Sequence, residues 1–248
     1  MKALVADKIC KNFEGIQALL NVSVEVEIGE RRGMIGPNGA GKTTFFHIIS
    51  GILSPTSGSI YLFGKDITHL PMHARANLEL SQTFQLISLF KKLTVLENIV
   101  LALQSFKRRK YILHRPLSIY KDVFNEAEKA LQEWELWDKR NLRVSELSYG
   151  EQRLLDIMLA LIGKPRLLLL DEPTSGLSLA EVKTVISRIR ALSREITIIF
   201  IEHHMDVALE LAERVTVLHM GQVVAEGTPT EIKRDPRVKK IYLGTEKG

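Results

Sequence analysis

Gly36, Pro37, Asn38, Gly39, Ala40, Gly41, Lys42 and Thr43 fit the pattern G-x-x-x-x-G-K-[ST] at every defined position. No other stretch restricts the fold as much, because the pattern works only where a strand delivers the loop and a helix carries on from it. Its glycines let the backbone curl until successive N–H groups point at phosphates. Lys42 then reaches the β- and γ-phosphates, Thr43 offers a hydroxyl to Mg²⁺, and Thr44 extends the cradle. Downstream, Phe45, Phe46, Ile48 and Ile49 continue with the apolar face of a helix. Upstream the strand begins Arg31, Arg32, Gly33, Met34, Ile35, and two arginines entering a buried strand are at odds with the apolar run expected there. A glycine-rich turn formed by chance is the competing reading. The complete match and the helix beyond it argue against that.

A second motif answers the first. Leu167, Leu168, Leu169 and Leu170 form a continuous apolar run, as in a strand covered on both faces, and end in Asp171 and Glu172. Carboxylates at the end of a parallel strand project into the crevice where ligands of such sheets bind. Asp171 would hold the metal and Glu172 would polarise an attacking water. Two solvated acids at a strand end would be the better reading if the phosphate loop were absent. A second continuous run, Ile196 to Ile201, follows a helical pattern at Val182, Val185, Ile186, Ile189 and Leu192, giving a strand-helix-strand unit. Val22 to Ile28 instead alternates apolar and polar residues before Gly29, which reads as a half-buried antiparallel strand and a turn.

Between Leu86 and Pro165 the strand signals fade, and Val123, Ala127, Ala130, Leu131 and Trp134 mark an amphipathic helix. The expected fold is therefore α/β, with a helical insertion. At 248 residues and 45% apolar content the chain can bury one sizeable core. Its net charge of +5 would suit nucleic acid or an anionic surface, but acidic residues are interspersed with the basic ones. One basic run, Lys107, Arg108, Arg109 and Lys110, is a candidate docking patch or a solvated helix end. The lone Cys10 permits no intrachain disulfide framework and no cysteine metal site. Neither a signal peptide nor a run of apolar residues long enough to span a bilayer is read in the sequence.

The stretch Leu147, Ser148, Tyr149, Gly150, Glu151, Gln152, Arg153 introduces an apolar helix from Leu154 to Ile162. Ser148-x-x-Glu151 is a capping box and as a helix start needs no further role. A helix N-terminus with a serine hydroxyl and a small glycine is also a ready anion site.

With these motifs in this order, the chain resembles the ATP-binding cassette family over essentially its whole length. The resemblance implies a P-loop NTPase core over 1–87 and 164–248, with a mostly parallel sheet and an N-terminal antiparallel β region. A helical subdomain over about 88–163 completes a single nucleotide-binding domain. It implies ATP and Mg²⁺ as cofactors and ATP hydrolysis as the reaction. Gln85, in Thr83-Phe84-Gln85, corresponds to a glutamine that reaches the metal and the reacting water, with Gln82 a nearby competitor that the motif spacing disfavours. His203 corresponds to a switch histidine on the γ-phosphate, and Phe13 to an aromatic stacked on adenine. Without the resemblance, Phe13 would read as a core residue and His203 as the polar end of a strand.

By the same resemblance two subunits pack head to tail, as a homodimer or a paralogous heterodimer. Ser148 and Gly150 then cover the nucleotide held by the partner's P-loop. Tyr149 and Glu151 replace a glycine and a glutamine of the usual signature, and Ser178 and His204 also depart from the family pattern. Within the family the likeness is greatest to the ATPases of branched-chain amino acid importers. It rests on the P-loop, Thr83-Phe84-Gln85, Ile201-Glu202-His203, Ala225 to Pro229, and the tail from Pro236 to Gly244. Such a subunit lies peripherally on the cytoplasmic face of the membrane, attached to integral permease subunits that work with a periplasmic or extracellular binding protein. A lipopolysaccharide-export ATPase shares the Tyr-Leu-Gly tail and is the alternative. A nucleic-acid-associated cassette is disfavoured, because the stretch from Lys42 to Asp171 carries no sustained heptads.

Overall fold

The computed structural model describes residues 1–84, 87–106 and 121–244, so Gln85 and the basic run Lys107 to Lys110 lie outside the described residues. In chain order the first elements are β1 (Lys2–Phe13), β2 (Ile16–Glu27), β3 (Arg31–Ile35), α1 (Lys42–Ser50), β4 (Ser57–Leu62), β5 (Lys65–Asp66), α2 (Met72–Ala76) and β6 (Leu80–Gln82). Helices α3 (Val95–Phe106), α4 (Lys121–Glu133) and α5 (Tyr149–Leu161) follow. The chain then runs through β7 (Leu167–Asp171), α6 (Leu179–Ala191), β8 (Thr197–Ile201), α7 (Met205–Leu211), β9 (Arg214–His219), β10 (Gln222–Gly227), α8 (Pro229–Arg234) and α9 (Pro236–Gly244).

Among the described residues these strands make two sheets. One is antiparallel, in the order β2-β1-β4-β5. Its first hairpin turns through Glu14 and Gly15, both with positive φ, the conformation that matches strand twist in a two-residue turn. The alternation read in the sequence is present in β2, where Val22, Val24 and Val26 are buried and their neighbours exposed, although the strand starts at Ile16 and stops one residue short of Ile28. The other sheet has the order β10-β9-β3-β8-β7-β6 and is parallel except where β10 folds back on β9.

Helix α1 lies between the sheets. Phe45, Phe46, Ile48 and Ile49 pack in one cluster with Leu4, Ala6 and Ile60 of the antiparallel sheet and with Leu167, Leu169, Ile199 and Ile201 of the parallel one. The alternate residues Leu168, Leu170, Ile198 and Phe200 face the opposite way, into a second cluster with α5, α6 and α7. This two-sided burial is why β7 and β8 read as unbroken apolar runs. Each buried Leu or Ile adds about 1.5–3 kcal/mol of transfer free energy, which fixes the strand ends where the site forms.

The two arginines at the start of β3 find partners, Arg32 through all three guanidinium nitrogens and Arg31 through Nη2, while Arg31 Nε is buried without a hydrogen-bond partner among the described residues. Arg32 is almost wholly buried and donates through Nε to Glu30 Oε1 at 2.6 Å, through Nη1 to Thr216 Oγ1 at 2.9 Å, and through Nη2 to the Glu25 carbonyl at 2.8 Å. Glu226 adds a second carboxylate 3.0 Å from Nη1. Arg31 donates to the carbonyls of Arg190 and Leu192 at 2.8 and 3.0 Å, where α6 ends and a cation complements the helix dipole. Buried guanidinium groups need such partners, and their geometry ties β2, β3, β9 and β10 together.

The helical insertion is present as α3, α4 and α5 between β6 and β7. Val123, Ala127 and Leu131 form the buried face of α4, and Trp134 follows it into the same cluster.

Candidate functional site

The phosphate loop joins β3 to α1 as its pattern requires. Gly36 has φ 152°, and a Cβ there would stand 2.1 Å from the Leu218 carbonyl oxygen. Gly41 has φ 101°, and a Cβ there would meet Leu19 Cδ2 at 2.7 Å and the Ala18 carbonyl oxygen at 2.8 Å. Strands β9 and β2 thus wall the loop on two sides and admit only glycine. Asn38 and Gly39 are exposed, leaving the loop open to solvent on its remaining face. Lys42, the first residue of α1, is buried and folds back so that Nζ donates to the carbonyls of Gly36 at 2.7 Å and Pro37 at 3.0 Å. Burial lowers its pKa, while the nearby Glu172 and Asp171 carboxylates act against that shift. Thr43 is exposed in the first turn of α1 and Thr44 is half-buried beside it.

The ends of β7 and β8 supply the acidic half. Asp171 closes β7 opposite Ile201 of β8. Burial, and then the adjacent Glu172 charge, push its pKa up to about 6. Its Oδ1 is buried without a hydrogen-bond partner among the described residues. A buried carboxylate oxygen with nothing to bind is costly, and a cation beside it removes the cost. Oxygen donors from Asp171 and the Thr43 hydroxyl suit Mg²⁺, which binds through one or two protein oxygens and completes its shell with phosphate and water. Among the described residues there is no group of three or more His, Cys, Asp or Glu side chains placed to hold a metal ion.

Glu172 is held in a left-handed backbone conformation, φ 49°, with its N–H donating to the Ile201 carbonyl at 3.1 Å. Such a conformation is uncommon for a residue with a Cβ and aims the side chain away from the strand direction. Its Oε1 lies 2.5 Å from Nε2 of His203, just beyond β8. A neighbouring carboxylate, Glu202, is almost fully buried and accepts from the Thr174 N–H at 3.1 Å and the Thr174 hydroxyl at 2.8 Å. Glu202 therefore ties the loop after Glu172 to the strand that carries His203. Lys42, Asp171, Glu172 and His203 come together, and their chemistry is that of an anion cradle beside a carboxylate able to orient a water.

The helix start at Ser148 behaves differently. Ser148 Oγ accepts from the Glu151 N–H at 3.2 Å and Glu151 Oε2 accepts from the Ser148 N–H at 2.9 Å, so the capping box read in the sequence is formed. The second oxygen of Glu151 pairs with Lys139, which neutralises the carboxylate that stands in place of a glutamine. Tyr149 is partly exposed and packs on Gly176 of the loop after Glu172. Gly150 donates its N–H to Glu181 Oε1 at 3.1 Å, and the Ser148 hydroxyl stands 3.4 Å from the same oxygen. Among the described residues, none of the hydrogen bonds of Ser148 or Gly150 goes to the phosphate loop or to Glu172.

Phe13 ends β1 with 41% of its surface exposed, the Lys11 ammonium lying 4.9 Å from its ring centroid. It is therefore available for stacking rather than part of the core. Gln82 ends β6 with its amide buried and without a hydrogen-bond partner among the described residues. Three contributors escaped the sequence reading: Glu181, Glu202 and Lys139. Glu181 was findable, since Ser178-x-x-Glu181 repeats the S-x-x-E pattern of Ser148-x-x-Glu151. Glu202 and Lys139 act across elements distant in sequence, and no local pattern marks them.

The family model described as ABC transporter matches residues 19–175, and one described as branched-chain amino acid ATP-binding cassette transporter matches residues 222–248. The high-affinity branched-chain amino acid transport ATP-binding protein BraF of Pseudomonas aeruginosa is 35% identical over 94% of this chain and 94% of its own length. The lipopolysaccharide export system ATP-binding protein LptB of Acidithiobacillus ferridurans is 36% identical over 98% of this chain and 97% of its own. Among solved structures, the ADP conformation of the ATP-binding cassette MJ1267 superposes with TM-score 0.86 at 29% identity, covering 98% of this chain and 99% of that one. The dimeric post-hydrolysis state of the cassette MJ0796, bound to ADP and Pi, superposes with TM-score 0.76 at 27% identity, covering 91% and 98%.

Proposed function

This chain belongs to the ABC transporter family and is an ATP-hydrolysing subunit of that kind, and from this premise we propose that it powers uptake of branched-chain or related amino acids. The observation that carries the amino acid reading is the match of residues 222–248 to the branched-chain cassette model, since overall identity to BraF and LptB is nearly equal. On this reading the phosphates of ATP lie in the loop from Gly36 to Thr44 and against Lys42, and the adenine stacks on Phe13. Asp171 and Thr43, joined by Gln85, would hold Mg²⁺. The chemistry it would supply there is neutralisation of phosphate charge. Glu172 orients the attacking water and His203 holds Glu172 on one side and the γ-phosphate on the other.

Ser148 and Gly150 serve a second cassette subunit, whose nucleotide they cover. Hydrolysis then requires two cassettes, each lending its helix start to the other. No helix among the described residues is long and apolar enough to cross a membrane, so integral permease subunits provide the path, with a binding protein delivering substrate from outside. The cassette sits on the cytoplasmic face through those subunits.

Deleting the gene in its host and measuring uptake of labelled leucine, isoleucine and valine tests the substrate. The proposal predicts that uptake falls, that the wild-type chain restores it, and that Glu172→Gln does not. Normal uptake accompanied by loss of surface lipopolysaccharide would establish the export reading, to which the 36% identity to LptB gives as much weight as the 35% identity to BraF gives to import.

A further inference from the structure

The donors assigned above to the partner's γ-phosphate already hold an anion. Glu181, in the first turn of α6, is split between two tasks. Its Oε2 caps its own helix, accepting from the Ser178 N–H at 3.0 Å and the Ser178 hydroxyl at 2.7 Å. Its Oε1 reaches across to α5, accepting from the Gly150 N–H at 3.1 Å with the Ser148 hydroxyl 3.4 Å away. These hydrogen bonds to Ser178, Gly150 and Ser148 favour the charged carboxylate and lower the pKa of Glu181.

The space at Gly150 is explained by the same contact. Its backbone has no positive φ, so conformation does not demand a glycine there. A Cβ would instead stand 2.5 Å from Glu181 Oε1 and 2.7 Å from Cδ and Cγ of the same side chain. The glycine leaves room for one anionic oxygen against its own N–H. Ser148, Gly150 and Glu181 also line an open cleft of about 250 Å³ that includes Thr184 and Arg188, so the side chain has space to turn away.

We propose that Glu181 is a placeholder: its carboxylate oxygen occupies the Ser148 and Gly150 donors until the terminal phosphate of the partner's nucleotide displaces it, so that every closure of the dimer must first release Glu181. This inference rests on the trans reading given above. Two anions cannot share one N–H, and the carboxylate competes for as long as it stays. Because Oε2 of the same carboxylate caps α6 at Ser178, swinging Oε1 away from Gly150 moves the group that fixes the end of the loop that begins at Glu172. Arrival of the partner's phosphate is thereby linked to the segment that carries the water-orienting carboxylate. Glu181 is a positioning residue on this account and touches neither nucleotide nor water.

The test uses the full-length chain in the Glu172→Gln background, where ATP is held without turnover. ATP-dependent dimerisation is followed by sedimentation or light scattering, with and without Glu181→Gln. Glutamine at this position keeps a capping side chain but removes the charge. The ATP concentration giving half-maximal dimer should fall by about two- to tenfold, the range expected for losing one competing hydrogen-bonded contact. The affinity of the chain for a fluorescent ADP analogue, measured with and without Glu181→Gln, should not change, because no hydrogen bond of Glu181 among the described residues reaches the phosphate loop of its own subunit. A dimer that forms at an unchanged or higher ATP concentration overturns the placeholder role while leaving the trans reading standing. Failure of the Glu172→Gln chain to dimerise with ATP at all overturns both. Should Glu181→Gln unfold the chain, the Gly150 amide resonance of an isotope-labelled Glu172→Gln protein gives the answer. It should move on ATP-driven dimerisation as the carboxylate leaves, and a resonance that stays put contradicts the proposal.

Discussion

The crevice at the ends of β7 and β8, with the phosphate loop beside it, and the start of α5 both present groups suited to a charged ligand, yet the structure treats them in opposite ways. Among the described residues, Asp171 at the crevice keeps a buried oxygen without a hydrogen-bond partner and a pKa raised to about 6, and the Lys42 ammonium is hydrogen-bonded to the loop's own carbonyls. Around Ser148 the donors of Ser148, Gly150 and Glu151 have partners: Glu151 closes the capping box, Glu181 holds Gly150, and Lys139 balances Glu151. One region carries unmet electrostatic demand and is prepared to bind. The other is self-satisfied and gives up its internal partners only to something better. The contrast fits a site whose chemistry resides in one subunit and whose closure depends on another.

The largest expected effect breaks the first region. Glu172→Gln keeps size and hydrogen bonding but removes the charge that orients water, so phosphate release should fall by about 10²–10⁴-fold with ATP binding retained. A variant hydrolysing within threefold of the parent would remove Glu172 from that role.

A smaller effect sharpens the contrast by relieving the unmet demand. The folded pKa of Asp171 lies above its unfolded value, so the cost of ionising the buried carboxylate grows as pH rises from about 4 to about 6, is fully present above that, and vanishes below about 4, where both states are protonated. Asp171→Asn should therefore melt higher than the parent at pH 7.5 without nucleotide, by about 1–3 kcal/mol, and the gap should close as pH is lowered toward 4. With MgATP the order should reverse, because only the parent gains the metal. Equal melting at every pH would show that Asp171 carries no such burden.

Phe13 should give the smallest change. Its ring is exposed at the end of β1, and stacking reads the base rather than the phosphates. Phe13→Ala should weaken ATP and ADP binding together by about two- to tenfold, with their ratio unchanged. A change in the ratio would place Phe13 near the phosphates instead.

How much of this was legible from sequence follows the range of each interaction. The phosphate loop, the leucine strand ending in Asp171 and Glu172, and the capping box at Ser148 depend on neighbours within a few residues, and local pattern carries them. The strands β1, β4, β9 and β10 left weaker traces, because their hydrogen bonds close over long separations and their burial is one-sided or interrupted. Arg31 and Arg32 looked out of place because their partners at Thr216, Glu226 and Arg190 lie far along the chain. Glu181 shows the intermediate case. Its cap on Ser178 is local and readable, whereas its hold on Gly150 exists only once α5 and α6 have packed.

The central claim, that Ser148 and Gly150 act on the partner's nucleotide, is tested most directly by mixing two disabled chains. A Ser148→Arg chain keeps an intact phosphate loop, and a Lys42→Ala chain keeps an intact helix start. Purified heterodimers, selected with two affinity tags, should release phosphate at a rate well above either variant alone, since the loop of the first faces the helix start of the second. If heterodimers form and release no more phosphate than the separate variants, each subunit uses its own Ser148 and the trans account is wrong.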